Sequence, residues 1–197
     1  MRKLYQIIAI VLIVFAVILG VLVVYVLYLR PMVYQNYYVD IMNNCNDPSK
    51  KVIVRSWFIR DYNFTEIYDW VHENLDFVPF NESFPQEQRY TDPLEIKELG
   101  KGRCGEFSIL YVAACLAHGY ECRLVIATDC SGLVWVDKHT WAEVKFNGQW
   151  VHIDPSERKW NDPQMYKQWT WGENIGSKVR IFAFEESKVK EVTQNYA

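Results

Sequence analysis

A chain of 197 residues that is half apolar and 16% aromatic has too much to bury to remain disordered. Its formal net charge of −3 is unevenly spread, because residues 31–197 hold 18 basic and 24 acidic side chains, a net −6. That balance argues against nucleic acid as a partner, since such binders present a basic face. Ile7 to Leu29 is a run of 23 residues without a charge. As a helix it rises about 34 Å, enough to cross a bilayer core. Tyr5, Tyr25 and Tyr28 stand near its ends, where amphipathic rings favour the interface. The run closes on Tyr28-Leu29-Arg30-Pro31, which lacks the small residues of a cleavage site, so residues 1–30 read as an uncleaved single-pass membrane anchor rather than a removed signal peptide. The basic pair Arg2-Lys3 keeps the N-terminus inside and places the rest of the chain on the extracytoplasmic side, although Arg30 on the far flank weakens the asymmetry. Two glycosylation sequons, Asn63-Phe64-Thr65 and Asn81-Glu82-Ser83, accord with that side but are frequent by chance.

Residues 31–60 read as a connecting segment, within which Val52–Ile59 suits a strand or the start of a helix. Asn63 or Thr65 can cap a helix whose apolar positions Phe64, Ile67, Tyr68, Val71 and Leu75 follow helical spacing. The prolines and glycines of 78–103 predict a loop holding one short helix near 92–99. From Cys104 to His118 the chain is apolar on all sides, the pattern of a buried central helix, and Gly119 supplies its stop. Cys122–Thr128 follows as a strand.

Lys138–Phe146 and Gln149–Pro155 are separated by Asn147-Gly148 alone, the strongest short-range hairpin signal. Pairing Phe146 with Gln149 sets the register of the whole ribbon. Ala142, Val144, Phe146, Val151 and Ile153 then form an apolar core face. The opposite face gathers His139, Trp141, Glu143, Trp150, His152 and Asp154. Trp141 lies across from Asp154 and His139 is the diagonal neighbour, roughly 7–8 Å away at the backbone and within side-chain reach.

An imidazole held by a carboxylate needs a nucleophile to make a catalytic set. Cys104 is the candidate, since it follows Gly100-Lys101-Gly102-Arg103 and opens the central helix, whose positive end favours a thiolate and whose first amides can face an oxyanion. In this reading Cys104 attacks an amide carbonyl, His139 carries the proton to the leaving amine, and Asp154 orients His139.

The blocks Gly102-Arg103-Cys104-Gly105-Glu106-Phe107, His139-x-Trp141-x-Glu143-Val144 and Asp154-Pro155 resemble the catalytic motifs of transglutaminase-like cysteine enzymes, and within them most nearly the core of peptide:N-glycanases. The likeness runs over roughly 60–197 and includes Gly119–Arg123, Trp171-Gly172, Ile181-x-Ala183-Phe184 and Val189…Tyr196. It implies an α+β, papain-like core, with the central helix bearing the cysteine packed on an antiparallel sheet; the transmembrane helix ahead of that core, read from Ile7 to Leu29, is a departure, since the cytosolic glycanases lack an anchor. The likeness also implies Cys104, His139 and Asp154 as the triad and 61–197 as the catalytic domain. Peptide:N-glycanases carry paired Cys-x-x-Cys zinc motifs ahead of the nucleophile, whereas this chain has only Cys45 there, so neither metal nor cofactor is expected. Extra roles are weaker. Glu106 could bind substrate or simply complement the helix dipole. Trp70, upstream of the nucleophile, could support an oxyanion or merely pack. Trp141, Trp150, Trp160, Trp169 and Trp171 could wall a cleft. His152 reads as structural, and His72 and His118 as helix-surface residues. Four remaining cysteines allow three disulfide pairings with nothing to choose among them. The expected activity is hydrolysis of an amide in a peptide or glycopeptide, as protease or glycoprotein amidase. The alternatives are a crosslinking transglutaminase, a catalytically silent peptide- or glycan-binding domain of the same fold, and a structural thiol protein.

Overall fold

The computed structural model describes residues 2–79, 91–131, 135–157, 159–160, 179–186 and 188–196. The chain divides into two compact units, Met1–Asn36 and Tyr37–Ala197. The first consists of α1 (Arg2–Val24), a π-helical turn at Tyr25–Leu29 and the beginning of α2 (Arg30–Asn46). Its apolar side chains are exposed from Ile7 to Leu29. By length and composition this helix can cross a membrane, a property shared by membrane spans and signal sequences.

The second unit opens on helices, which corrects the reading of 31–60 as a connector. Tyr38, Ile41, Met42 and Cys45 recur at helical spacing and are buried in the latter half of α2. α3 (Pro48–Ser56) starts where the Asp47 carboxylate accepts the N–H groups of Ser49 at 2.8 Å and Lys50 at 3.1 Å, with Pro48 in the first turn. α4 (Phe64–Asn74) is capped by Asn63, and Glu66 completes the box by accepting the Asn63 N–H at 2.8 Å. β1 (Asp76–Phe77) pairs in parallel with β2 (Lys101–Gly102). Between them α5 (Pro93–Leu99) runs from its Asp92 cap to Gly100, which ends it at a φ of 67°.

α6 (Cys104–Ala117) is enclosed from Glu106 to Cys115, as its apolar circumference predicts. It packs on a sheet of β3 (Cys122–Asp129), β4 (Val136–Phe146), β5 (Gln149–Asp154), β6 (Lys159–Trp160), β7 (Val179–Glu185) and β8 (Lys188–Glu191). Among the described residues the order is β6-β5-β4-β3-β7-β8, with every neighbouring pair antiparallel. The β4–β5 hairpin turns on Asn147 and Gly148, at φ 51° and 79°, and pairs Phe146 with Gln149, Val144 with Val151 and Ala142 with Ile153. This is the register the Asn-Gly turn requires.

The two faces of that sheet depart from a simple apolar-in, polar-out plan. One face carries Leu124, Ala142, Val144 and Ile153 beneath α6, with Phe146 half-exposed at its edge against the ring of Phe64, 5.2 Å away. The other is not an open polar surface. Val125, Ala127, Trp141, Val179, Ile181 and Ala183 form a second apolar layer, closed by Val192 and by Tyr196 of the 3-10 turn Thr193–Tyr196. The sheet is therefore covered on both sides in its centre, because β7 joins the far edge of β3 and the residues after β8 fold over the hairpin.

Candidate active site

Cys104 stands at the first position of α6, and its backbone is fixed from both directions. Gly102 lies so close to the following turn that a Cβ there would sit 2.4 Å from Glu106 Cβ, which only glycine avoids. Glu106, nearly buried, accepts the Arg103 N–H at 2.9 Å and ties the start of the helix to the chain entering it. Its carboxylate is engaged in this cap, so the structure gives it a scaffolding place rather than the substrate contact considered above. The Cys104 side chain is half-buried.

His139 projects from β4 and bonds Asp154 of β5 through Nε2 and Oδ2. Asp154 is completely buried, and its other oxygen, Oδ1, accepts the Ser156 N–H at 3.0 Å, the Ser156 hydroxyl at 2.8 Å and the Glu157 N–H at 3.2 Å. The turn after β5 thus fixes the carboxylate before the imidazole meets it. His139 is also hydrogen-bonded to Cys104. Burial works against an imidazolium at this place, yet the hydrogen bonds to Asp154 and Cys104, and the negative charge they bring, push His139 up to about 10. The ring of Trp141 backs His139, with centroids 6.0 Å apart and planes 24° from parallel. The structure therefore gathers the three predicted residues: a thiol, an imidazole that holds its proton at neutral pH, and a buried carboxylate.

Other predicted residues lie elsewhere. Trp141 is fully buried, its Nε1–H donating to the Tyr196 hydroxyl at 3.3 Å, so it forms no wall that a substrate could touch. Trp150 is half-buried and covers the Arg123 guanidinium at 3.9 Å. It lines a pocket of about 420 Å³ with Gly119, Tyr120, Glu185 and Lys188, at the opposite end of α6 from Cys104. Trp70 stacks on Trp57 at 5.8 Å and meets Phe58 at a tilt, 4.5 Å away, with the Lys97 ammonium 5.7 Å from its ring. Phe58 in turn meets His118 beyond the C-terminal end of α6, so Trp70 belongs to a helix-packing cluster. His118 and His72 are half-buried against Phe58 and Phe107 rather than lying on a helix surface. Trp160 pairs through its backbone with Ile153, while Trp169 and Trp171 lie outside the described residues.

A second acid–base cluster occupies the same hairpin face and was not singled out from the sequence. Glu143, buried, bonds Arg123 of β3 and Tyr196, and its Oε1 lies 3.0 Å from His152 Nδ1. Arg123 reaches Glu185 at 2.6 Å as well. Burial alone would raise Glu143, but His152, Arg123 and Tyr196 hold it below the usual carboxylate range. The legible signal was Arg123 itself, a lone charge inside the apolar strand Cys122–Ala127.

All five cysteines are free thiols. Burial pushes Cys45 up to about 12 and raises Cys122 well above an ordinary thiol, the latter helped by its hydrogen bond to Cys115. Cys104 differs from Cys45, Cys115 and Cys122 in being partly open to solvent and set beside an imidazole.

A central helix bearing the thiol, packed on an antiparallel sheet bearing the imidazole and carboxylate, defines the papain-like α+β class. Residues 60–155 match the family model of the transglutaminase-like superfamily. Among curated proteins it is similar to the peptide-N4-(N-acetyl-β-glucosaminyl)asparagine amidases of Oryza sativa subsp. japonica, at 33% identity over 53% of this chain and 21% of the relative, and of Arabidopsis thaliana, at 30% over 68% and 16%. The chain thus spans about a fifth of the length of these relatives. Among solved structures, Rad4–Rad23 crosslinked to an undamaged DNA shares the fold with a TM-score of 0.63, covering 89% of this chain and 48% of that one, at 11% identity.

Proposed function

We propose that this chain is a membrane-anchored cysteine amidase that hydrolyses an amide bond in a glycopeptide or peptide through Cys104, His139 and Asp154. The observation that carries the reading is the His139–Asp154 pair held against Cys104 at the first turn of α6. The Cys104 thiolate attacks the amide carbonyl, and the developing oxyanion faces the N-terminal amides of α6. His139, charged in the resting site, donates its proton to the departing nitrogen, and the C–N bond breaks to leave a thioester on Cys104. His139, now neutral, takes a proton from water as the water attacks the thioester, which frees the acid and restores the thiolate–imidazolium pair. Asp154, pinned by Ser156 and Glu157, holds the ring in one orientation throughout.

The activity named for the plant relatives points to the side-chain amide of a glycosylated asparagine as the first substrate to test. The exposed apolar helix supports an anchor, and the basic pair Arg2-Lys3 ahead of it favours the domain on the extracytoplasmic side. The test incubates the full chain, in detergent micelles, with an N-glycopeptide, the same peptide unglycosylated, and that peptide plus an amine donor. Release of glycan with conversion of asparagine to aspartate is the expected result. Backbone cleavage would make it a protease, an amine adduct a crosslinking enzyme. Binding of a peptide or glycopeptide with no turnover would overturn the enzymatic reading.

A further inference from the structure

We propose that Tyr196, through Trp141, is a positioning residue for His139, so that the turn after β8 sets the acid–base behaviour of the active site. The proposal rests on the reading of Cys104 and His139 given above and adds a residue that lies outside the reacting groups. Tyr196 is buried, and its ring meets the indole of Trp141 edge-on at 5.4 Å. Its hydroxyl stands at a junction: it accepts the Trp141 Nε1–H at 3.3 Å, donates to Glu143, and lies 3.1 Å from His152 Nδ1. Glu143 is itself fixed by Arg123. The same indole backs His139, with ring centroids 6.0 Å apart.

This arrangement does more than fill space. An indole in a purely apolar pocket can slide and turn at small cost, whereas one tethered by its N–H to a hydroxyl anchored on a buried carboxylate has a single place. The imidazole must meet Asp154 and Cys104 at once, and the indole is the surface it rests on. The titratable and charged groups around His139 and this junction include Asp154, Cys104, Glu143, Arg123 and His152, and Tyr196 joins the second group to the first. Removing the hydroxyl leaves the indole N–H and one carboxylate oxygen short of a buried partner, and the relaxation that follows moves the ring behind His139.

The experiment follows carbamidomethylation of Cys104 by iodoacetamide in the full chain, in detergent micelles, between pH 5 and 9, with the labelled peptide resolved by mass spectrometry. The variant is Tyr196→Phe, which keeps the buried ring. Val192→Ala, which trims the same apolar cluster without touching the hydrogen bonds, is the stability control. In the unmodified protein Cys104 should label at low pH; a profile like that of a simple thiol would defeat the thiolate–imidazolium reading itself, separately from this proposal. Given that low-pH labelling, Tyr196→Phe should move the profile to higher pH and slow labelling at pH 6 about tenfold, the size of one buried hydrogen bond. Val192→Ala should lower the melting temperature and leave the profile in place. If Tyr196→Phe does not fold, Trp141→Phe removes the same hydrogen bond from the donor side and is expected to shift the profile in the same direction. An unshifted profile in a folded variant, with only the melting temperature lowered, makes Tyr196 a packing residue and overturns the proposal.

Discussion

The β4–β5 hairpin carries two imidazole–carboxylate pairs on one face, His139 with Asp154 and His152 with Glu143, built from similar residue types and set for different work. The first has a half-open thiol beside it, and its carboxylate takes backbone and hydroxyl donors on Oδ1, which leaves Oδ2 to the imidazole that also bonds Cys104. The second is locked by a guanidinium and a phenol, since Arg123 and Tyr196 both bond Glu143. On the proposed mechanism, what separates the two pairs is therefore their third and fourth neighbours. Residue identity on the strand does not tell them apart.

The comparison breaks most sharply at the thiol. Cys104→Ala should reduce amide turnover by at least about 10³-fold while the melting temperature stays near that of the parent, measured by product release and circular dichroism; retained turnover would remove the distinction between the pairs. Glu143→Ala leaves Arg123 in the interior with Glu185 still paired to it, and should destabilise the fold by about 1–3 kcal/mol in urea unfolding, with activity per folded molecule less affected than by any change at Asp154. The pairs should also fail at opposite ends of the pH scale. His139, held at about 10 against an ordinary 6.5, contributes stability that is complete below 6.5 and lost as pH rises through 10. Glu143, held below the usual carboxylate range, contributes stability that is present above that range and lost as pH falls through its lowered value. Thermal melts should accordingly lose the alkaline limb in His139→Gln and the acidic limb in Glu143→Gln. The smallest effect is expected far from both pairs. Asn63→Ala removes the α4 cap and should cost about 1 kcal/mol with no change in the pH profile.

The His139–Asp154 pair was legible because the Asn147-Gly148 turn fixes register, and register alone carries His139 toward Asp154. Cys104 was legible because an all-apolar helix has one polar start. The covering of the second face was not, since Ile181, Val192 and Tyr196 arrive some 40 to 55 residues later in the chain than Trp141, and nothing local to the hairpin announces them. Alternation in β4 therefore reads as half-buried when the strand is enclosed on both sides. The helices within 31–60 were more accessible. Asp47-Pro48 is a cap followed by a first-turn proline, and 38, 41, 42 and 45 keep helical spacing, yet the chain's many polar residues there suggest a tether.

The enclosure of α6 has a consequence for how this site can change. A helix wrapped along the stretch from Glu106 to Cys115 cannot turn or slip without opening a void, so the sulfur at its tip is as immobile as the core itself. Ile109→Val, five residues along α6 from Cys104 and so little more than one turn away, trims a methylene from that mounting. New specificities would then arise by altering what surrounds the sulfur, because the helix that presents it is a fixed datum from which every other distance in the site is measured.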